Sequence, residues 1–204
     1  MDKLDSELQK GFLHVPRTAG GSIVNELMKT NWIILGHDLT SPHYMHLSAF
    51  RKVHPLKSAF FIGASRNPFD RLVSAYHFLK AGGDNESDQA DAKKYIDPYS
   101  TFEEFVLKSF SWLKTSRTFK QIHLKPQTYW LYKGNNLLID RLFKYEELNQ
   151  LFDFIVTNSE IELEMIKHVH ASSHSNYKDY YSKNMIKLVE RAYSSDLKLL
   201  NYSF

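Results

Sequence analysis

The chain has 204 residues, 43% of them hydrophobic, which predicts a single globular domain over residues 1–204 with one sizeable core. Charged residues make up 24% and nearly balance, and the net charge of +3 is too weak to bind nucleic acid or a membrane through bulk electrostatics, so any important basic charge must be local. The absence of cysteine excludes disulfides, thiolate zinc sites and cysteine nucleophiles.

Strands alternate with helices in the first half of the sequence. The polar start MDKLDSELQKGF has no apolar signal core, and no later apolar run reaches membrane-spanning length, so we expect a soluble, cytoplasmic protein. GFLHV, WIIL and SAFFIGAS are strand candidates, and SIVNELMKT and NPFDRLVSAYHFL have helical spacing. The second of these helices carries a stripe of Phe69, Leu72, Tyr76 and Leu79. This alternation predicts an α/β fold of three layers, α/β/α, with a central parallel sheet.

The second half is mainly helical after one compositional break. The break, Ala81 to Pro98, is rich in Gly, Asp and Ser and is predicted to be a long mobile loop. STFEEFVLKSFSWL then begins with a capping box formed by Ser100 and Glu103, and NLLIDRLFKYEEL predicts a strand running into a helix. The end of the chain repeats apolar residues at spacings of three and four, which predicts one strongly amphipathic helix.

The segment HVPRTAGGS has the properties of an anion site. A strand ends there, Gly20 and Gly21 permit close backbone approach, and a helix beginning near Ser22 directs its free N–H groups and positive dipole end into the turn. Arg17 and the hydroxyls of Thr18 and Ser22 add donors. The spacing G-x-x-x-x-G-K-[ST] of an ATP- or GTP-binding loop is missing. The alternative is an ordinary strand–helix connection capped by Ser22.

A second segment, FFIGASRNPFDRLVSAY, places an arginine at the end of the third strand. Asn67 suits a helix N-cap, Pro68 the first helical position and Asp70 the first turn. Arg66 is therefore expected at the carboxyl edge of the sheet, where open α/β folds bind ligands, with the Ser74 hydroxyl two turns into the helix. An arginine suits forked contact with a terminal phosphate. The alternative is that Arg66 pairs with an acid and Ser74 packs.

These two segments resemble the nucleotide-binding motifs of sulfotransferases. HVPRTAGGS is similar to their 5′-phosphosulfate loop, H-I-P-K-T-A-G-T-S, and SRNPFDRLVSAY to their 3′-phosphate segment, R-[DN]-P-x-x-R-x-x-S-x-Y. HLKPQTYWL, IDRLFKYEELNQLFDFI and the terminal Y-x-x-D-x-x-L-x-x-Y pattern follow in the order of the carbohydrate-type branch, family 2. The resemblance covers most of the chain and implies a P-loop NTPase-like sulfotransferase fold with 3′-phosphoadenosine 5′-phosphosulfate (PAPS) as the bound donor.

The resemblance also implies a role for individual residues. Arg66 and Ser74 would hold the 3′-phosphate of PAPS or of its product PAP, and the loop from Ser172 to Tyr177 would close over the nucleotide. Arg17 stands where the family usually has Lys, and Gly21 where it has Thr. We expect binding to survive both changes, while the rate of transfer depends on them. The residues that would wrap the phosphosulfate are Arg17, Thr18, Ala19, Gly20, Gly21 and Ser22.

The chemistry needs a base, and histidine titrates in the useful range. Four histidines lie between the two motifs: His37, His43, His46 and His54. In the resembling family a histidine of this segment is the base, which favours His46 with His43 next, beside Arg17 as a catalytic cation. Any of these can instead be a surface or packing histidine. The pair His43-x-x-His46 also suits a zinc site, but no H-E-x-x-H or third spaced ligand follows, so we expect no metal.

The functional hypothesis is therefore transfer of a sulfuryl group from PAPS to a hydroxyl of a saccharide or another small molecule. Variable loops, here Ala81 to Pro98 and SWLKTSRTFKQIHLKPQ, would form the acceptor pocket. Two alternatives stay open: a nucleotide kinase or NTPase of related fold, and a relative that binds PAPS or PAP with little or no catalysis. The missing G-K-[ST] argues against the first, and the changes at Arg17 and Gly21 give some weight to the second.

Overall fold

The computed structural model describes residues 3–36, 47–53, 58–159 and 176–204. The chain divides into two compact units, one from Met1–Arg66 and Gln127–Ala171 and the other from Asn67–Pro126 and Ser172–Phe204. The expectation of one domain over 1–204 stays a prediction. No helix in the described ranges is long and apolar enough to cross a membrane.

The secondary structure alternates as predicted before residue 81 and is mainly helical afterwards. The strands are β1 (Lys10–His14), β2 (Ile33–Gly36), β3 (Phe60–Ser65), β4 (Tyr132–Lys133), β5 (Asn136–Leu137) and β6 (Arg141–Lys144). The helices are α1 (Gly20–Leu27), α2 (Leu47–Val53), α3 (Pro68–Lys80), α4 (Glu86–Tyr95), α5 (Phe102–Ser109), α6 (Thr115–Thr118), α7 (Thr128–Leu131), α8 (Leu148–Asn158), α9 (Lys183–Ala192) and α10 (Ser194–Leu199). Short 3₁₀ turns cover Ile122–Leu124, Tyr145–Glu147 and Tyr177–Tyr180.

A parallel sheet of four strands, in the order β2-β1-β3-β6, is the centre of the first unit. Alternate residues of its strands point to opposite faces. On one face the sheet packs against α1 and α8, and on the other the ring of Phe61 meets Phe50 of α2 at 5.5 Å. The predicted three-layer α/β/α arrangement is confirmed. The buried cluster on the first face consists of Phe12, Ile23, Val24, Leu27, Trp32, Ile34, Ile62, Ala64, Phe143, Leu151, Phe154 and Ile155.

The second unit has a core of its own, built around α3. The predicted stripe Phe69, Leu72, Tyr76 and Leu79 is buried, each side chain exposing 5% or less. Aromatic rings from α5 and from the C-terminal segment pack against this stripe, for example Phe105 at 5.4 Å from Tyr76. The spacing of apolar residues along α3 therefore predicts its buried face correctly.

The prediction of a long loop from Ala81 to Pro98 is wrong for most of this segment, because the segment contains α4. Asn85 caps this helix by accepting a hydrogen bond from the N–H of Asp88. Ala92, Tyr95 and Ile96 are buried in the core of the second unit. Their spacing of three and four is helical, but they stand among charged and polar residues, so the composition hid the helix.

Two helix boundaries also differ from the expectation. α5 is capped by Thr101, whose hydroxyl accepts the N–H of Glu104, and the Glu104 carboxylate accepts the N–H of Ser100. The N-cap is thus shifted one residue from Ser100 to Thr101, and the acidic partner is Glu104 instead of Glu103. The predicted C-terminal helix is broken at Tyr193 into α9 and α10.

Tyr193 makes the stability of the second unit sensitive to alkaline pH. Its side chain is 1% exposed, its hydroxyl donates a hydrogen bond to the Leu124 carbonyl at 2.6 Å, and burial raises the pKa of that hydroxyl. Above about pH 10 the unfolded chain loses this proton while the folded chain keeps it, so the free energy of unfolding falls as pH rises. We expect Tyr193→Phe to flatten this fall in urea unfolding between pH 8 and pH 11.

At pH 8, Tyr193→Phe is expected to lower the free energy of unfolding by about 1 kcal/mol, because the hydrogen bond to Leu124 is lost. Tyr129→Phe serves as the control, since Tyr129 is 48% exposed. An alkaline slope for Tyr193→Phe equal to that of the parent protein would show that this hydroxyl stays accessible to ionisation.

Candidate active site

The turn between β1 and α1 has an unusual backbone. Arg17 and Ala19 both adopt positive φ, +64° and +69°, which residues other than glycine rarely do. Thr18 between them is buried, and its hydroxyl donates to the carbonyl of Val15 at 2.9 Å. A left-handed residue followed by helical residues directs successive N–H groups into one concavity, the geometry of an anion-binding nest. The turn therefore has the backbone geometry of an anion-binding nest, at the expense of backbone strain.

Gly20 and Gly21 have different roles. A Cβ on Gly20 would lie 2.0 Å from Cδ2 of His14, so only glycine fits against that ring. A Cβ on Gly21 would meet nothing within 4 Å. The helix begins at Gly20, two residues before Ser22, with Ala19 at its N-cap and no side chain capping it, so the alternative of a Ser22 cap is wrong. The left-handed conformation of Ala19 turns the chain early enough to start the helix there.

The strain at Ala19 gives a measurable expectation. Ala19→Gly should raise the free energy of unfolding by about 0.5 kcal/mol, because glycine removes the left-handed penalty of about 1–2 kcal/mol but adds about 0.5–1 kcal/mol of chain entropy. Chemical denaturation followed by circular dichroism measures the change. Ala90→Gly, in the exposed middle of α4, is the control and should lower the same quantity by about 1 kcal/mol. A loss of stability for Ala19→Gly would contradict the strain.

Arg66 lies at this turn. It directly follows β3, its side chain is 3% exposed, and its Nη1 lies 3.5 Å from the carbonyl oxygen of Arg17. A guanidinium this close to the concavity places a permanent positive charge beside it. The structure thus brings together Arg66 and the glycine turn, which the sequence identified as two separate anion motifs.

Two further residues hold Arg66, and the sequence reasoning missed both. The side-chain amide of Gln127 accepts the N–H of Arg66 and donates to its carbonyl, each at 2.8 Å. The ring of Tyr145 lies under the guanidinium, with 4.1 Å between Cζ and the ring centroid. The position of Tyr145 beside Arg66 could have been predicted from the pairing of the two strands. Ser65 pairs with Lys144 in the sheet, so Arg66 and Tyr145 follow neighbouring strands at the same edge.

The segment after Arg66 belongs to the second unit and forms the predicted helix start. Asn67 caps α3 by accepting the N–H of Phe69, with Pro68 at the first position and Asp70 in the first turn. Ser74 is buried in this helix, with 3% of its surface exposed. Arg71, the second arginine of the motif, is 1% exposed and donates to the carbonyls of His123 and Lys125.

Several predicted site residues lie outside the described residues. His37, His43, His46 and His54 are among them, as are positions 172–175 of the predicted closing loop and the side chain of Ser22. In the second unit, Tyr177 accepts a hydrogen bond from the Asn67 amide at 3.2 Å. No group of three or more His, Asp or Glu side chains suited to a metal occurs in the described part of the chain.

Comparison with known proteins agrees with the two motifs. A family model described as the sulfotransferase family matches residues 12–203, a span that includes both the glycine turn and Arg66. None of the curated proteins compared with the chain matches it.

Proposed function

Since the chain belongs to the sulfotransferase family, we propose that it transfers a sulfuryl group from PAPS to a hydroxyl of a saccharide or small-molecule acceptor. The contact of 3.5 Å between the Arg66 guanidinium and the Arg17 carbonyl is the observation that carries this proposal, because it sets a fixed cation beside a strained anion-binding turn. A nucleotide with phosphate groups at both its 5′ and 3′ positions needs two such groups of donors in one site.

The residues of the turn suit the 5′-phosphosulfate. Its N–H groups, the positive end of α1 and the side chain of Arg17 supply donors, and the open space at Gly21 leaves room for the ligand. We assign Arg66 to the 3′-phosphate. Ser74 is assigned to the same phosphate by the family resemblance. The phosphosulfate group is proposed to be wrapped by Arg17, Thr18, Ala19, Gly20, Gly21 and Ser22.

The proposed reaction is an in-line displacement at sulfur. A bond forms between the acceptor oxygen and sulfur, the bond between sulfur and the 5′-phosphate oxygen breaks, and PAP is released. Negative charge grows on that phosphate, where Arg17 and the N–H groups of the turn stabilise it. The acceptor proton passes to a histidine, which we assign to His46 with His43 as the alternative. Comparing kcat of His46→Ala and His43→Ala, at equal PAP affinity, decides between them.

The acceptor is proposed to contact the segment 111–127. Within it Trp112 is 81% exposed and Leu113 86% exposed, and an exposed indole ring can stack on the face of a sugar. Lys114, Arg117 and Lys120 add positive charge to the exposed part of this segment, which contains no acidic residue. This composition favours a saccharide that carries negative groups. Comparing the rates of transfer to neutral and to acidic oligosaccharides, for the parent protein and for Trp112→Ala, tests this preference.

Calorimetry with PAP, followed by transfer of labelled sulfate from PAPS, tests the donor. Binding of PAP with transfer to any acceptor supports the proposal. Binding without turnover on a broad acceptor panel would favour the non-catalytic alternative. Absence of PAP binding at millimolar concentration, together with magnesium-dependent ATP turnover, would favour a nucleotide kinase or NTPase instead.

A further inference from the structure

Arg66 is restrained separately at its main chain and at its side chain. Gln127, which is fully buried, bonds both the N–H and the carbonyl of Arg66 at 2.8 Å, as a neighbouring strand would. These two bonds fix the position of the Arg66 backbone just beyond the end of β3. They do not act on the guanidinium, which lies at the far end of four rotatable bonds.

Tyr145 acts on the guanidinium itself. Its ring lies 4.1 Å from the Arg66 Cζ, within the range of a strong cation–π contact, and the sheet register of Ser65 with Lys144 brings the two residues to the same edge. An arginine side chain carries about 2 kcal/mol of rotamer entropy that binding would otherwise remove. A ring packed against the guanidinium restricts that freedom before the ligand arrives.

We propose that Tyr145 is a positioning residue, which holds the Arg66 guanidinium ready for the 3′-phosphate of the nucleotide. This inference rests on the proposed function. The effect of Tyr145 is expected to be selective. It strengthens binding of nucleotides that carry a 3′-phosphate and does not change the affinity for nucleotides without one. Tyr145→Leu is therefore expected to weaken PAP binding about tenfold, within the range of a partly buried cation–π contact, and to leave 5′-AMP affinity unchanged. Tyr145→Phe keeps the ring and is expected to keep the parent affinity.

A double-mutant cycle provides the test. Dissociation constants for PAP and 5′-AMP are measured by calorimetry for the parent protein, Tyr145→Leu, Arg66→Ala and the double variant. If Tyr145 acts through Arg66, then Tyr145→Leu weakens PAP binding in the parent background and has no further effect once Arg66 is alanine. Tyr129→Leu is the control for removing a tyrosine ring, because Tyr129 is 48% exposed and its ring packs against Trp130.

The outcomes separate this inference from the proposed function. A parent protein that binds PAP no better than 5′-AMP overturns the function, and the inference with it. A parent protein that prefers PAP, with Tyr145→Leu unchanged in that preference, overturns the inference alone. Equal weakening of PAP and 5′-AMP binding by Tyr145→Leu would also overturn it, since a general loosening of the site does not distinguish the two nucleotides. If Tyr145→Leu fails to fold, Tyr145→Met takes its place in the cycle.

Discussion

Arg66→Ala is expected to weaken binding of PAP by about 100- to 1000-fold, the equivalent of about 3–4 kcal/mol. The side chain is buried, so its loss leaves the 3′-phosphate assigned to it without its charged partner. Binding of 5′-AMP should fall much less, because the Arg66 contact is assigned to the 3′-phosphate. Calorimetry with the two nucleotides measures both effects.

Arg66→Lys separates charge from geometry. Lysine keeps the positive charge but cannot make the forked contact, so we expect a loss of about tenfold, between those of the parent and the alanine variant. Arg117→Ala removes an exposed cation from α6 and controls for the change in net charge. Unchanged PAP affinity in Arg66→Ala would remove Arg66 from the nucleotide site.

Gly20→Ala is expected to lower the free energy of unfolding by about 2–3 kcal/mol, whereas Gly21→Ala should raise it by about 0.5–1 kcal/mol. The two changes add the same methyl group to neighbouring residues of α1. At Gly20 it would lie 2.0 Å from the His14 ring, which must move, and at Gly21 it meets nothing. Urea unfolding of both variants gives the comparison, and PAP binding should weaken in Gly20→Ala because the turn shifts with the ring.

The double variant His14→Ala/Gly20→Ala identifies the cause. If the collision with His14 is responsible, Gly20→Ala costs far less in the His14→Ala background than in the parent protein. Equal costs in the two backgrounds would show that the helix start at Gly20 is sensitive for another reason.

The sequence predicted the parts of the fold that depend on local apolar patterns. GFLHV, WIIL and SAFFIGAS are strands because short apolar runs can be buried on both faces of a parallel sheet. The stripe on α3 and the cap at Asn67 were predictable for the same reason, since spacing and capping act within a few residues. The two segments that the sequence predicts to bind anions lie close together because β3 pairs with β1 in parallel.

Features that depend on distant contacts were not predictable from local pattern. Gln127 reaches Arg66 across 61 positions in the chain, and nothing near Gln127 indicates it. The left-handed backbone at Arg17 and Ala19 is invisible in the sequence, because neither residue type favours it. α4 was missed because the burial of Ala92 and Tyr95, and of Ile96 at its C-cap, depends on the core that they enter.

The order of the strands has a consequence for synthesis on the ribosome. β3 and β6 are neighbours in the sheet, yet residues 66–140 lie between them, and Asp140 accepts the N–H of Phe61 at 2.8 Å. A nascent chain that has emerged only as far as Leu124 exposes one edge of β3 with no neighbour to cover it, and such an edge recruits other chains. A chain truncated before β6 should therefore aggregate, and chaperones should bind the nascent chain most strongly while residues 66–140 are being synthesised.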